Sequence, residues 1–345
     1  MPPWRPAASS RAMAFDSIIG HERFRGLLSR ALVQRRLPPA MLFSGPSGVG
    51  KKTLALAVGR ALLCEADGGD ACEVCAACSR AARGLHPDVL LVEPDGASIK
   101  IEQVRDAVRE IAGLPFEGRA RAFVFDEAHL ITEQAQNALL KSLEEPPATS
   151  HVILVTASPQ ALLPTIRSRC QMLRFSPLPQ SLLESHLHKT SGLSADEARL
   201  RAALSGGSLG VALAFESEAW RALREDLIGV LERIGQGGAL GRLDAAERLA
   251  DMDDAILALT ALRSLLRDVA ALHAGSPALL NADVAPRLGA LASGPLGDRA
   301  GQMARAAGET RDALEGKITG TNLRRGPANA LLALDVLMDM LAVPA

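Results

Sequence analysis

Aromatic residues and net charge are what this sequence has least of. Its 345 residues include no Tyr, and aromatic residues make up 3% of the chain. Proteins that stack the bases of single-stranded nucleic acid need such side chains, so that class is disfavoured. Lys and Arg number 38 against 39 Asp and Glu, which leaves a net charge of -1. No global positive field exists to attract nucleic acid, so any such contact must be local or shared with partners.

Long apolar runs are also missing. No run approaches the ~20 residues that span a bilayer. Residues 1–14, rich in Pro, Ala and Ser, lack the apolar segment of a signal peptide. We expect this segment to be a flexible extension, with Met13 as an alternative start, and the chain to be cytoplasmic with no membrane partner. In the cytoplasm, five Cys indicate a metal site or free thiols before disulfides.

The first half of the chain alternates short apolar runs with helical patterns. Strands are predicted at residues 41–44, 89–92, 122–125 and 151–156. Helices are predicted at about residues 51–63, 101–112 and 133–143. Short apolar strands that alternate with helices predict a parallel sheet covered on both faces.

The strand pattern stops after Pro177 and Pro179. A small helical unit is predicted over about 180–215, and three amphipathic helices follow it. Their apolar positions are Trp220, Leu223, Leu227, Leu231 and Ile234; Ile256, Leu259, Leu262, Leu266 and Val269; and Leu331, Leu334, Leu337, Met338 and Leu341. The sequence therefore predicts an α/β domain, a small helical module and an all-helical C-terminal domain.

A glycine-rich loop follows the first predicted strand. Residues 45–53 read Gly-Pro-Ser-Gly-Val-Gly-Lys-Lys-Thr, the pattern of a phosphate loop between a strand and a helix. Backbone N–H groups can surround a phosphate at three glycines, Gly45, Gly48 and Gly50. Lys51 would reach the outer phosphates. Lys52 stands where a Ser or Thr would bind Mg²⁺, and Thr53 lies one residue late, about 100° further around the helix. We expect a nucleotide loop with an impaired magnesium site.

Asp126 and Glu127 directly follow the third predicted strand. This is where a parallel sheet presents residues to its ligand crevice. Asp126 would hold Mg²⁺ through water, and Glu127 would orient the water that attacks a phosphate. One alternative is an acidic cap for the helix at 133–143. The residues at 126–129 also spell the Asp-Glu-Ala-His motif of a helicase class, but no pattern after residue 180 predicts the second motor domain that this class needs.

Four cysteines lie close together, namely Cys64, Cys72, Cys75 and Cys78. A spacing of two residues lets consecutive cysteines bind one ion, and the glycine-rich link at 67–70 lets Cys64 complete a tetrahedron. With no position left for water, the predicted ion is structural Zn²⁺. Two alternatives are four reduced thiols and a metal-dependent nucleic-acid module. The second is disfavoured because the surrounding residues are mostly acidic.

Several segments resemble AAA+ clamp-loader subunits. They are residues 15–21, 138–147 and, most specifically, Ser168-Arg169-Cys170. The cysteine module after the phosphate-loop helix is similar to that of bacterial DNA polymerase III clamp-loader subunits, and residues 86–88 and 99–105 match the same group. The resemblance covers roughly residues 15–213. It extends to the C-terminal region only in length and helicity.

The resemblance implies an organisation and a set of partners. It implies a P-loop domain over 15–177 with a zinc module at 64–78, a helical lid over 178–217 and an oligomerisation collar over 218–345. The implied partners are the motor (gamma/tau) and delta subunits of a hetero-oligomeric ring. Through that complex, the chain would act on a sliding clamp and primed DNA in DNA replication.

The family contains ATP-hydrolysing motors and a largely passive stator. Lys52 replaces the magnesium hydroxyl of the motors, the sensor-1 polar position falls on Ala157, and the sensor-2 Arg position falls on Gly210. Without that Arg, a large electrostatic contribution to phosphoryl transfer is lost. The departures imply a stator that can bind ATP or ADP without hydrolysis. A motor that hydrolyses ATP with the loop and the acidic pair is the alternative.

Arg169 carries the chemistry that the resemblance implies. It would be an arginine finger that enters the ATP site of a neighbouring subunit, where such residues contribute about 10³–10⁵ in rate. The alternative is an Arg paired with a carboxylate of its own domain. Cys170 is expected to be a packed thiol, and Ser168 to cap or orient the loop.

Overall fold

The computed structural model describes residues 14–66, 68–215, 217–235, 255–276 and 278–314. These residues fall into two units. The first comprises the described parts of Met1–His186 and Gly207–Val211, and the second those of Leu187–Gly206 and Ala212–Ala345. The predicted three-part division at residues 177 and 217 remains a prediction.

A five-stranded parallel sheet forms the centre of the first unit. Its strands are β1 Ala40–Ser44, β2 Val89–Val92, β3 Arg121–Phe125, β4 Ser150–Thr156 and β5 Gln171–Arg174. The spatial order is β2-β3-β4-β1-β5, and all neighbours run parallel. All residues of β1 and β3 are buried, as expected for strands covered on both faces. The predicted parallel α/β fold is confirmed.

The four predicted strands are present, each within one residue of its predicted ends. The fifth strand, β5, was missed. Only Met172 and Leu173 lie between its polar ends, so no apolar run marks it. It lies at the sheet edge and pairs with β1 alone. The other edge strand, β2, leaves Leu91 exposed, so it is covered less completely than the central strands.

Helices cover both faces of this sheet. They are α1 Glu22–Val33, α2 Lys51–Leu63, α3 Ala76–Ala82, α4 Ile101–Ile111, α5 Glu133–Glu144, α6 Pro164–Arg169 and α7 Gln180–Ser191, of which α7 continues into the second unit. Because side chains alternate along a strand, β1 contributes to two cores. Met41 and Phe43 belong to the core that includes Leu54 of α2, whereas Leu42 belongs to the core that includes Leu139 of α5.

The second unit is helical in its described part. Its helices are α8 Ala195–Leu204, α9 Leu209–Ala214 (which begins in the first unit), α10 Ser217–Gly235, α11 Ala255–His273, α12 Ala285–Ala292 and α13 Gly297–Leu314. One core joins α8, α10, α11, α12 and α13, and it contains the predicted positions Trp220, Leu227, Leu231, Ile234, Leu259, Leu262, Leu266 and Val269. The helix predicted at 331–341 lies outside the described residues. Among the described helices, none is both long and apolar enough to cross a membrane.

Asp88 is a buried carboxylate that fixes the chain leading into β3. It accepts hydrogen bonds from the backbone N–H groups of Phe116 at 2.8 Å, Glu117 at 3.0 Å and Gly118 at 2.9 Å. Its Oδ1 atom lies 3.3 Å from Nε of the buried Arg121. Burial opposes ionisation, but these hydrogen bonds and the guanidinium hold the pKa of Asp88 below its usual value. The network therefore anchors the strand that carries the acidic pair at its other end.

The variant Asp88→Asn is expected to lower the free energy of unfolding by about 3 kcal/mol near neutral pH, since Arg121 loses a buried partner. The pKa of Asp88 is depressed in the folded state, so its stabilisation is complete above the unfolded pKa of about 4. It is lost as the pH falls through the folded value. Urea unfolding should show the difference between wild type and variant shrinking in acid.

Asp95→Asn is the matched control. Asp95 pairs with Lys100 at 2.9 Å, and both side chains are exposed. This variant should unfold at the same urea concentration as the wild type. Equal losses for the two variants would contradict a structural role for the buried network.

Candidate functional site

The glycine loop joins the carboxyl end of β1 to the start of α2. Gly45, Gly48 and Gly50 have φ values of 150°, 72° and 98°, a region of backbone conformation that favours glycine. A Cβ atom at Gly45 would lie 2.3 Å from the carbonyl oxygen of Phe175. Glycine at this position therefore allows the loop to lie directly against the chain that follows β5.

Lys51 lies folded back onto the loop. Its side chain is buried, and Nζ donates hydrogen bonds to the carbonyl oxygens of Gly45 at 2.7 Å and Pro46 at 2.6 Å. Burial lowers the pKa of Lys51 to about 8, against the opposing effect of Asp126 and Glu127. The predicted phosphate lysine thus lies beside the predicted acidic pair.

Two more carbonyl groups of the loop also have partners. The N–H of Gly210 donates to the carbonyl of Gly48 at 2.9 Å, and Nε2 of His21 lies 2.9 Å from the carbonyl oxygen of Val49. By contrast, no hydrogen bond among the described residues uses the N–H groups of residues 48–51 as donors. Most carbonyl groups of the loop therefore have protein partners, whereas the N–H groups of residues 48–51 are available for an anion.

Lys52 lies between two carboxylates at the carboxyl edge of the sheet. Its Nζ is 3.1 Å from Oδ2 of Asp126 and 2.5 Å from Oε1 of Glu93. Partial burial works against the charge, but the hydrogen bonds to Glu93 and Asp126 raise the pKa of Lys52. An ammonium group therefore neutralises the acid that would otherwise hold a metal ion.

Thr53 and Glu127 both have exposed side chains. Thr53 is exposed on α2, so the hydroxyl is displaced from the position beside Lys51 that would face the metal. Glu127 is exposed, has a φ of 46° and precedes a short 3₁₀ helix at Ala128–Leu130. The helix α5 is preceded by Thr132 as its N-cap. The alternative that Asp126 and Glu127 cap this helix is therefore wrong.

Gly210 lies directly against the phosphate loop. Besides its hydrogen bond to Gly48, a Cβ atom at Gly210 would lie 3.1 Å from the Cα of Gly48. A side chain there would push the segment 207–211 away from the loop. The sensor-1 position, Ala157, has only a methyl group and follows the buried Thr156 at the end of β4. Neither position offers a polar group to a phosphate.

Arg169 lies away from this loop. It ends α6, just before β5, so it lies at the amino edge of the sheet, whereas the loop follows the carboxyl end of β1. The five residues of β1 separate these edges by about 16 Å. Nη2 of Arg169 lies 2.6 Å from Oε1 of Glu144, and the Arg side chain is 35% exposed. An ion pair within its own unit, the alternative for this residue, is therefore present in the chain.

The neighbours of Arg169 have structural contacts. Ser168 donates a hydrogen bond from its hydroxyl to the carbonyl of Thr165 at 3.0 Å. Cys170 is buried, and burial raises its pKa to about 12. The prediction of a packed thiol at this position is confirmed.

The four clustered cysteines converge on one point. The sulfur atoms of Cys64, Cys72, Cys75 and Cys78 all lie within 4.8 Å of one another. Sulfur atoms around tetrahedral zinc are separated by about 3.8 Å, given a Zn–S distance of about 2.3 Å, so the cluster fits this ion. Four thiolates fill all positions of a structural site, which leaves none for a reacting water.

Hydrogen bonds orient the sulfur atoms of this cluster. Backbone N–H groups of Cys72, Cys75 and Cys78 donate to the sulfur atoms of Cys64, Cys72 and Cys75, respectively, at 3.3–3.4 Å. Against the effect of burial, hydrogen bonds from the N–H groups of Val74 and Cys75 lower the pKa of Cys72 to about 7. Burial raises the pKa of Cys64. The backbone is thus arranged to stabilise thiolate at one position of the cluster.

The cysteine cluster is integrated into the first core and lies far from the phosphate loop. Cys64 and Cys78 are buried in the same core as Phe15. Asp70, in the link between the cysteines, accepts the backbone N–H of Phe15 at 2.9 Å. The 13 residues of α2 separate Cys64 from Lys51 by about 20 Å. The cluster can therefore support the fold without taking part in phosphate chemistry; Asp67 lies outside the described residues.

Sequence reasoning missed two residues at the loop. Glu93 directly follows β2, as Asp126 follows β3, and the two strands are neighbours with Val92 opposite Phe125. An acidic residue directly after a second strand was the available signal. His21 was quoted only as part of a motif, and nothing in its spacing indicates a contact with the carbonyl of a loop 28 residues away.

The known proteins that this chain resembles in sequence include DNA polymerase III subunits. A family described as "DNA polymerase III, delta subunit" matches residues 20–179. The chain is 33% identical over 249 residues to DNA polymerase III subunit delta' of Escherichia coli, which covers 71% of this chain and 73% of that protein. It is 39% identical over 165 residues to the delta' subunit of Bacillus subtilis, covering 48% of this chain and 50% of that protein.

Gamma/tau subunits of DNA polymerase III are also similar to this chain. The chain is 32% identical over 293 residues to DNA polymerase III subunit gamma/tau of Mycobacterium bovis, covering 80% of this chain and 47% of that protein. The chain thus spans about half the length of the Bacillus and Mycobacterium relatives and about three quarters of the Escherichia one. Because it covers more than two thirds of a delta' protein at 33% identity, this chain belongs to the family of DNA polymerase III clamp-loader subunits.

Proposed function

We propose that this chain is the stator, or delta'-type, subunit of the clamp loader. In this function it acts in the cytoplasm within a ring that loads the sliding clamp onto primed DNA during replication. The observation that carries the proposal is the ion pair of Lys52 with Asp126, at 3.1 Å. Hydrolysis of ATP in this family of folds needs a metal ion at that carboxylate, and an ammonium group is there instead.

Two further features support a stator. Gly210 brings backbone, without a side chain, against the phosphate loop. Ala157 offers only a methyl group at the sensor-1 position. A motor needs groups that stabilise the charge developing on the γ-phosphate, and each such group contributes a factor of about 10²–10³ to the rate. Losing several of them in one site is incompatible with efficient turnover.

A gamma/tau-like motor is the second candidate. It is favoured by the match to a gamma/tau protein over 80% of this chain and by the presence of Lys51, Asp126 and Glu127 beside the loop. They are the phosphate lysine, the acidic metal ligand and the water-positioning residue that a motor uses. Hydrolysis by the isolated chain distinguishes the two candidates.

The isolated protein is expected to show no DNA-stimulated ATP hydrolysis above that of the Lys51→Ala variant. The physical reason is that the site lacks a magnesium hydroxyl at Lys52 and the sensor-2 Arg at Gly210. Release of inorganic phosphate from ATP and Mg²⁺, with and without primed DNA, measures this directly. Hydrolysis that depends on Lys51 and turns over repeatedly would establish the motor in place of the stator.

In the stator proposal, Arg169 acts on a neighbouring subunit. It lies at the opposite edge of the sheet from its own loop, so its guanidinium cannot serve the nucleotide bound there. Its side chain is partly exposed and held by a surface carboxylate, Glu144. A triphosphate presented by a motor subunit would replace that carboxylate as the partner of the guanidinium.

Arg169→Ala in the reconstituted clamp loader is expected to lower ATP hydrolysis by about 10³-fold at the neighbouring site. Steady-state hydrolysis by the whole complex, with each motor subunit present in wild-type form, is the measurement. Gel filtration should show that the variant still assembles, because the proposal assigns this residue to charge stabilisation.

Arg174→Ala is the matched control for this experiment. Arg174 is also an exposed Arg, at the far end of the adjacent strand β5. Its loss should leave hydrolysis unchanged. An unchanged rate for Arg169→Ala as well would remove the finger assignment, and Arg169 would then be a partner of Glu144 alone.

The four-cysteine cluster is proposed to hold a structural Zn²⁺. The residues would be Cys64, Cys72, Cys75 and Cys78, whose thiolates complete a tetrahedron and tie the end of α2 to α3. A bound ion would link residues that are up to 14 positions apart in sequence, and its binding energy would add to the stability of the fold.

Purified protein is expected to contain about one zinc ion per chain, as a closed four-thiolate site binds one ion. Cys72→Ala should lose the ion and lower the melting temperature. Cys170→Ala is the matched control, because this buried thiol is outside the cluster, and it should retain the metal. Metal analysis and thermal unfolding, before and after chelation, measure both effects. Full metal content in Cys72→Ala would contradict the assignment.

A further inference from the structure

Lys52, Glu93 and Asp126 form a compact charged group beside the phosphate loop. The strands β2 and β3 are neighbours with Val92 opposite Phe125, so the residues that follow them lie side by side at the carboxyl edge. Lys52 lies in the first turn of α2 and reaches both carboxylates, at 2.5 Å and 3.1 Å. The contacts come from three separate elements, so the arrangement depends on the fold as a whole.

Magnesium does not fit this group. Mg²⁺ needs octahedral oxygen ligands, and in phosphate loops a Ser or Thr hydroxyl and an acidic residue supply them. Here the hydroxyl position is occupied by Lys52, and Thr53 is exposed on another face of the helix. The ammonium already uses Oδ2 of Asp126. A divalent cation at this carboxylate would be repelled by Lys52 or would have to displace it from two partners.

The loop nevertheless keeps the groups that bind phosphate. The N–H groups of residues 48–51 donate to no protein acceptor among the described residues, and the ammonium of Lys51 lies at the same loop. An ammonium group has three donors. In Lys52 the contacts with Glu93 and Asp126 use two of them, and no hydrogen bond among the described residues uses the third.

We propose that this loop binds a nucleoside diphosphate or triphosphate without magnesium, and that the Lys52 ammonium is its fixed counter-cation. The inference rests on the phosphate loop of the proposed function. It adds that the nucleotide bound there needs no magnesium. Glu93 and Asp126 hold the ammonium in place, so its remaining N–H donor has a position fixed by the fold. Magnesium supplied in solution then adds no favourable contact at the site.

The test is titration of the full chain with ADP and with ATP by calorimetry, in EDTA and in excess MgCl₂. For the wild type, the dissociation constant in EDTA should equal or be below that in MgCl₂. Lys52→Thr removes the ammonium and places a hydroxyl beside Lys51, so its binding should weaken in EDTA. Excess MgCl₂ should then lower the dissociation constant of this variant by at least about tenfold.

Two variants control for charge and for folding. Lys100→Thr removes another lysine that pairs with a carboxylate, Asp95 at 2.9 Å, and it should bind as the wild type does in both buffers. Lys52→Arg keeps the positive charge and should keep the binding in EDTA. Thermal unfolding of each variant shows whether a change in affinity arises at the site or from loss of the fold.

Two results would overturn the inference. One is wild-type binding that magnesium tightens by about tenfold or more, because the site would then use the metal. The other is the absence of ADP and ATP binding in EDTA. The second result leaves the stator proposal intact, and the first removes the support that the Lys52–Asp126 ion pair gives it. The stator proposal itself fails separately if the same sample, kept in MgCl₂ with ATP, releases phosphate through repeated turnover.

Discussion

The ion pair between Lys52 and Asp126 is the constraint from which the functional account follows. Asp126 directly follows the inner strand β3, so its position is set by the sheet, and Lys52 follows the phosphate lysine in the first turn of α2. These two fixed positions place a cation on the acid that would otherwise carry magnesium, at 3.1 Å. In the proposed function, the site therefore keeps groups that bind phosphate and lacks groups that hydrolyse a bound nucleotide.

The parallel sheet also places the candidate sites of the first unit far from one another. The phosphate loop and both carboxylates lie at the carboxyl edge, whereas Arg169 lies at the amino edge before β5. The cysteine cluster lies at the far end of α2, about 20 Å from the loop. Under the proposed function, this separation would allow one subunit to combine a passive loop, a structural metal module and a guanidinium that serves a neighbouring protomer. Each of them is positioned by the ends of strands and helices.

Much of the fold could be predicted because its strands are short apolar runs. The runs at 41–44 and 122–125 are buried in the sheet, and the loop between strand and helix has glycines at positions with positive φ. The strand β5 could not be predicted in this way, since an edge strand with polar ends leaves no apolar signature. Its place is set by pairing with β1, a long-range contact that no local pattern contains.

The residues of the site that belong to a sequence motif could be predicted. The contacts between residues far apart in sequence could not. The loop, the acidic pair and the four cysteines follow from spacing, and the sulfur atoms do converge. Lys52 was recognised as abnormal, but its partner Glu93 was not, because 41 residues separate them. The pairing of Arg169 with Glu144 was likewise set by packing of α6 beside the end of α5.

A crystal structure of the chain grown with ADP and Mn²⁺ tests the central claim most directly, because anomalous scattering locates this stand-in for magnesium. The account predicts phosphates on the N–H groups of the loop, Lys52 in contact with Glu93 and Asp126, and no anomalous peak at Asp126. A manganese ion bound to Asp126, with the lysine displaced into solvent, would contradict it.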